Sequence, residues 1–277
     1  MKFTIGFSPC PNDTFIFDAL INHKIDTDGF EFEAVLEDVQ TLNKWAIEKK
    51  LSISKISYGV LPLVLNNYAV LNSGGALGNG VGPLLISKTI IEDFSRQMHN
   101  YSVAIPGEHT TAHLLYSYAF PTAVNKQFMV FNEIENAVLS NEVDAGVIIH
   151  ENRFTYQDKG LVKLLDLGEF WEEKTKAPIP LGGIVIDRSI DKAIQHKIDL
   201  LIRKSLEYSF SQYPILSPYI ADHAQEMNEE VMKKHIELYV NDFSIQLGET
   251  GKSAVYKLLE VYAKMNNVSI DTSAVFV

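Results

Sequence analysis

Apolar and polar residues along this chain change period repeatedly, from two to between three and four. Residues 2–7 alternate polar with apolar side chains and predict a first strand. Ser8-Pro9-Cys10-Pro11-Asn12-Asp13-Thr14 follows as a tight polar loop, in which Asn12, Asp13 or Thr14 is the expected cap of a helix over residues 15–21. A second strand is predicted at residues 30–36. Asp38 then caps a helix that carries Val39, Leu42, Trp45 and Ala46 on one face. A third strand, residues 51–58, brings Lys55 and Ser57 near its end. Strands alternating with helices in this way predict βαβ units and a largely parallel sheet.

The next stretch, Ser73-Gly74-Gly75-Ala76-Leu77-Gly78-Asn79-Gly80-Val81-Gly82-Pro83, holds five glycines in eleven residues. It is either a connection between domains or a turn that faces a ligand at close range. No Gly-Lys-Ser/Thr closes it, so it is not a phosphate loop. Strands follow at residues 84–87, 101–105 and 126–131. Between the last two, Pro106-Gly107-Glu108-His109-Thr110-Thr111 leads into a helix over residues 112–119. Asn132 caps a helix over residues 133–140, and residues 144–149 form a buried strand of small and β-branched residues. Residues 161–166 pair at an edge. Pro178 and Pro180 bar a long helix through residues 171–180. A strand at residues 181–186 returns to the first lobe, and helices are expected at residues 190–213, 214–223, 228–240 and 249–266. The tail, residues 268–277, ends apolar and is expected to dock on the body. These elements compose two α/β lobes with a cleft between them: a discontinuous larger lobe of residues 1–86 and 184–277, and a smaller one of residues 87–183.

Composition bounds the function. The 277 residues are 46% hydrophobic and 21% charged, enough for a sizeable core. Thirty-five acidic against 24 basic residues give a formal charge of −11, which argues against a nucleic-acid or anionic-membrane partner but leaves room for an anionic small molecule in a local pocket. Cys10 is the only cysteine, so no internal disulfide forms. The N-terminus shows no secretory pattern, and no apolar run approaches the roughly 20 residues that span a bilayer. The expectation is a cytoplasmic protein, monomer or homodimer.

Three positions after predicted strands carry candidate chemistry. Lys55, Ile56 and Ser57 close the third strand. Thr110 and Thr111 stand at a helix N-terminus, where free N–H groups and the helix dipole favour an anion. Their two hydroxyls add donors for a carboxylate, although Thr110 can equally be only an N-cap. His150 ends the run Val143-Asp144-Ala145-Gly146-Val147-Ile148-Ile149 and precedes Glu151-Asn152-Arg153. A histidine exchanges protons near neutral pH, its unperturbed pKa being about 6.5. His150 is thus either a base at the lip of the cleft or a packing residue. His23, His99, His196, His223 and His235 lie in polar or helical contexts and read as surface or packing residues. His109 and His113 are four apart, but Thr110 stands where a zinc-protease helix needs glutamate, and no metal site is expected. From the residues alone the chain is a two-lobed binder of small anions.

Several blocks taken together carry more. Gly6-Phe7-Ser8-Pro9-Cys10-Pro11-Asn12-Asp13-Thr14-Phe15, Leu36-Glu37-Asp38-Val39, Ser73-Gly74-Gly75-Ala76-Leu77-Gly78, His109-Thr110-Thr111-Ala112 and Ile149-His150-Glu151-Asn152-Arg153-Phe154-Thr155-Tyr156 resemble the 1,4-dihydroxy-6-naphthoate synthase family of the futalosine route to menaquinone, in family order from Gly6 to about Leu247. The resemblance implies a periplasmic-binding-protein type II fold. It implies a carbon–carbon lyase that converts cyclic dehypoxanthinylfutalosine, a carboxylate, to 1,4-dihydroxy-6-naphthoate and dihydroxyacetone without metal or organic cofactor. It also implies His150 as proton acceptor, with Lys55, Ile56, Ser57, Thr110 and Thr111 as substrate-binding positions. The alternative is a non-catalytic cytoplasmic binding protein for a small acid.

Overall fold

In the computed structural model, which describes every residue except 151 and 225–227, the chain builds one sheet, leaves it for a second, and returns. The first passage runs β1 (Lys2–Phe7), α1 (Pro11–Ile21), β2 (Glu31–Leu36), α2 (Val39–Ile47), β3 (Ile53–Ser57), a 3₁₀ turn (Tyr58–Val60), α3 (Leu61–Val64), β4 (Tyr68–Val70) and β5 (Ala76–Gly78). The second holds β6 (Leu84–Ser87), α4 (Phe94–Gln97), β7 (Val103–Ile105), α5 (Thr111–Ala119), β8 (Lys126–Phe128), α6 (Ile134–Leu139), β9 (Ala145–Ile148), α7 (Asn152–Thr155) and β10 (Val162–Asp166). After α8 (Leu167–Thr175), β11 (Ile179–Asp187) re-enters the first sheet. Helices α9 (Lys192–Gln212), α10 (Pro218–His223), α11 (Glu229–Tyr239), α12 (Asp242–Ile245) and α13 (Gly248–Asn266) complete the chain.

The first sheet has the order β2-β1-β3-β11-β4, with β5 also on β11; the second has the order β10-β6-β9-β7-β8. Pairing is parallel from β2 through β1 to β3 and across β9-β7-β8. It is antiparallel wherever β11, β6 or β10 takes part. The sheets are therefore mixed rather than largely parallel. The antiparallel pairs all involve β6 or β11, the strands that follow the two crossings and enter a sheet from the other lobe. As expected, β10 forms an edge and the C-terminal tail docks: Val275 is buried and Val277 N–H donates to Val70 O at 3.1 Å.

Element ends differ from expectation for local reasons. Helix α1 starts at Pro11, whose missing N–H is harmless in the first turn, with Cys10 and not Asn12, Asp13 or Thr14 at the cap. Strand β3 stops at Ser57, because Gly59 packs against the start of α5. A Cβ on Gly59 would stand 2.5 Å from Thr110 O. The helix expected from residue 214 waits until Pro218, which takes its first position. Asp38 caps α2 as expected, accepting the N–H groups of Gln40 and Thr41.

One apolar cluster spans both lobes. Tyr58 and Val185 of the first sheet, Leu85 and Val103 of the second, and Trp171 and Leu258 of the helices all belong to it. A second cluster packs Phe7, Phe17 and Leu20 against Ile198 and Ile202 of α9. Among the described residues no helix is long and apolar enough to cross a membrane.

Candidate active site

The crossings and the helix N-termini surround a cavity between the sheets. Every candidate residue named above lines it: Lys55, Ile56 and Ser57 at the end of β3, Thr110 and Thr111 at the start of α5, and His150 after β9. The glycine-rich stretch carries the crossing, and its Ala76, Val81 and Pro83 form an apolar wall with Val39, Ile149 and Leu181.

Lys55 is buried and occupied. Its Nζ lies 2.8 Å from Asp13 Oδ1 and donates to Gly74 O at 3.0 Å. Asp13 also accepts from Ser8 N–H at 3.2 Å, Ser8 Oγ at 2.7 Å and Asn12 Nδ2 at 2.8 Å. Among the described residues nothing takes the third ammonium N–H of Lys55, which can be given to the cavity. Ser57 is held by Asn43, whose Oδ1 accepts Ser57 N–H at 2.8 Å and whose Nδ2 donates to Ser57 Oγ at 3.1 Å. Among the described residues nothing takes the Ser57 hydroxyl proton, so it too can be given to a ligand.

The threonines act differently from the expectation that their hydroxyls donate to a carboxylate. Thr110 Oγ1 donates to Gly107 O at 2.9 Å and accepts His113 N–H at 3.2 Å, an N-cap. Thr111 Oγ1 donates to Leu181 O at 2.7 Å and accepts Gly59 N–H at 2.9 Å, tying α5 to the first lobe. Both hydroxyl protons are spent inside the protein. What the helix start offers an anion is backbone: the N–H groups of Thr111 and Ala112 lie in the first turn, with no acceptor in the helix.

His150 stands at the end of β9 with φ of +57°, a left-handed conformation that histidine adopts more readily than most residues and that turns the chain out of the strand at the cavity wall. Its ring meets Phe131 edge-on with centroids 4.9 Å apart, and the ring of His235 at 5.8 Å with a 34° tilt. His235, read from sequence as a surface or packing histidine, is 1% exposed and lines the cavity. Burial, and secondarily His150, push its pKa well below the ordinary imidazole value, so it is held neutral. Tyr239, one turn on, packs on His235 with centroids 4.8 Å apart and lines the cavity too. Nothing local in α11 announces these two residues; His150, the ring that meets His235, is 85 positions away in the chain.

Arg153 fixes the segment behind His150. Its guanidinium donates to Gly82 O, to Gly80 O at 3.1 Å and to Asp166 at 3.1 Å, pinning the crossing to the second lobe. Gly82 has to be glycine, since a Cβ there would stand 2.3 Å from Gly168 backbone. Glu151 lies outside the described residues. Among the described residues no three His, Cys, Asp or Glu side chains are grouped to hold a metal ion. His113 Nδ1 instead meets Glu108 O at 2.7 Å and its Nε2 meets Lys126 Nζ at 3.1 Å.

Residues 3–264 match a family model described as menaquinone biosynthesis. The chain is 42% identical over 254 residues to 1,4-dihydroxy-6-naphthoate synthase of Thermus thermophilus, covering 92% of this chain and 91% of that protein. It is 41% identical over 260 residues to the protein of that name in Streptomyces coelicolor, covering 92% and 90%. The chain belongs to this family of menaquinone-biosynthesis enzymes. A crystal structure of an Archaeoglobus fulgidus protein superposes with a TM-score of 0.89 at 32% identity, over 96% of this chain and 98% of that one. The periplasmic aliphatic sulphonate binding protein of Escherichia coli superposes with a TM-score of 0.68 at 10% identity, over 100% and 92%, a likeness of fold alone. The fold is the two-lobed α/β architecture of periplasmic binding proteins, here in a family of enzymes.

Proposed function

We propose that the protein is a carbon–carbon lyase that converts cyclic dehypoxanthinylfutalosine to 1,4-dihydroxy-6-naphthoate with release of dihydroxyacetone, in the cytoplasm and without a cofactor. The observation that carries this reading is the position of His150. It is held in a left-handed backbone on the wall of a cavity whose other lining includes the start of α5. The names of the relatives supply the product.

The benzoate carboxylate of the substrate is received by the N–H groups of Thr111 and Ala112, with the positive end of α5 behind them. The Ser57 hydroxyl and the remaining Lys55 N–H add donors. Val39, Ile56, Val81 and Leu181 give the ring an apolar surface. Neutral His150 then removes a proton from the sugar-derived portion. Carbon–carbon cleavage and elimination follow, driven by formation of the second aromatic ring. His235, kept neutral beside it, adds no charge to oppose protonation of His150.

Incubating the pure protein with cyclic dehypoxanthinylfutalosine tests the reaction by appearance of the naphthoate. A positioned base contributes about 10²–10⁴-fold, so His150→Ala lowers kcat by that factor while substrate still binds. Turnover near that of the wild type in this variant overturns the role of His150. Tight binding by the wild type with no product makes the protein a non-catalytic small-acid binder.

A further inference from the structure

Among the described residues several buried polar atoms have no hydrogen-bond partner, and one of them belongs to an asparagine on the cavity wall that the chemistry above does not use. Asn12 lines the cavity and is 7% exposed; its Nδ2 donates to Asp13 Oδ1 at 2.8 Å, and among the described residues its Oδ1 has no hydrogen-bond partner. The amide cannot turn to relieve this. Flipped, it would set Oδ1 against a carboxylate oxygen, acceptor on acceptor. Asp13 is itself fixed by Ser8 and Lys55, so the orientation of Asn12 is built in. A buried carbonyl left without a donor is unfavourable, and one that borders a cavity has room for a ligand to supply the donor.

We propose that Asn12 is a specificity-determining residue whose Oδ1 accepts a hydrogen bond from a hydroxyl of the sugar-derived part of the substrate. This rests on the reaction proposed above. The cavity then has two chemically opposite walls. The start of α5 presents donors and takes the carboxylate. Asn12 presents an acceptor beside Asp13, whose charge Lys55 already balances, so this wall turns a carboxylate away and takes an alcohol. The two walls orient the substrate, leaving its hydroxyl-bearing carbons to His150.

The test compares two ligands in one variant. The substrate carries the hydroxyl-bearing fragment; 1,4-dihydroxy-6-naphthoate keeps the carboxylate and has lost that fragment. Asn12→Ala is expected to lower kcat/KM for cyclic dehypoxanthinylfutalosine about 5–30-fold, the range of a lost hydrogen bond to a buried group. It leaves the inhibition constant of the naphthoate within about twofold, a change too small to count as a lost hydrogen bond. Equal weakening of both ligands means that Asn12 acts only by supporting Asp13, and overturns the proposal, as does no weakening of either. Should Asn12→Ala not fold, Asn12→Ser is read in the same two assays. Wild-type turnover with an unresponsive Asn12 variant overturns this inference alone; absence of wild-type turnover overturns the proposed reaction with it.

Discussion

Lys55 Nζ lies 2.8 Å from Asp13 Oδ1 with both side chains buried, so the cavity rests on an ion pair. Removing one member of such a pair strands the other charge, at about 3–5 kcal/mol. Lys55→Met is therefore expected to lose about that much unfolding free energy in chemical denaturation. The double variant Lys55→Met with Asp13→Leu loses less than the two single losses added, because neither charge is left alone. A Lys55→Met protein within about 1 kcal/mol of the wild type contradicts a buried pair.

Thr111 supports the cavity from the other lobe. Its hydroxyl serves Leu181 O and Gly59 N–H together, and valine has the same shape with neither function. Thr111→Val leaves the buried Gly59 N–H and the half-buried Leu181 O unsatisfied and is expected to cost about 1–3 kcal/mol. Thr110→Ala removes an N-cap, at about 0.5–2 kcal/mol. Both variants keep the backbone N–H groups of α5. Calorimetry with the naphthoate should therefore show affinity reduced far less than if the hydroxyls themselves held the carboxylate. Loss of all binding in Thr111→Val, in a protein that still melts cooperatively, returns the ligand contact to the hydroxyl.

The alternation of residues 2–7, the cap at Asp38 and the small-residue run of β9 depend on neighbours within a few positions, and the sequence announces them. So does the placing of Lys55, Ser57, Thr110 and His150 after strands, because chain direction alone brings strand ends to one crevice. Their bonding partners depend on the other lobe. Thr111 reads as a ligand donor until Leu181, 70 residues later, is seen to take its proton. Asn12 and Asp13 read as helix caps because the Lys55 ammonium, which claims Asp13, is remote in sequence. The antiparallel course of β11 is equally hidden, being set by its route back from the second lobe.

Gly59 measures how tightly the lobes meet. A methyl group there would sit 2.5 Å from Thr110 O, and the neighbouring atoms are backbone that cannot turn aside. Gly59→Ala is expected to cost about 1–3 kcal/mol, as overpacking does. It should also weaken naphthoate binding, since the displaced element is the start of α5. Thermal melts paired with calorimetry check both effects. An alanine variant with wild-type stability and affinity means that α5 is not seated on the 3₁₀ turn.

Acid should destabilise the protein through His235. Burial, and then His150, lower its pKa in the folded state, while in the unfolded chain it returns to about 6.5. Below that value the unfolded chain binds a proton that the folded one refuses, so unfolding free energy falls as pH drops; above it this group has no effect. The slope from one such histidine is at most about 1.4 kcal/mol per pH unit. His113, lowered chiefly by burial, adds in the same direction. Denaturant unfolding at pH 7.5 and at pH 5.5, a window lying above the ordinary carboxylate range, should show the wild type losing stability. His235→Gln removes the larger share of that loss and leaves the part due to His113. An undiminished loss in His235→Gln would show that His235 is charged in the folded protein.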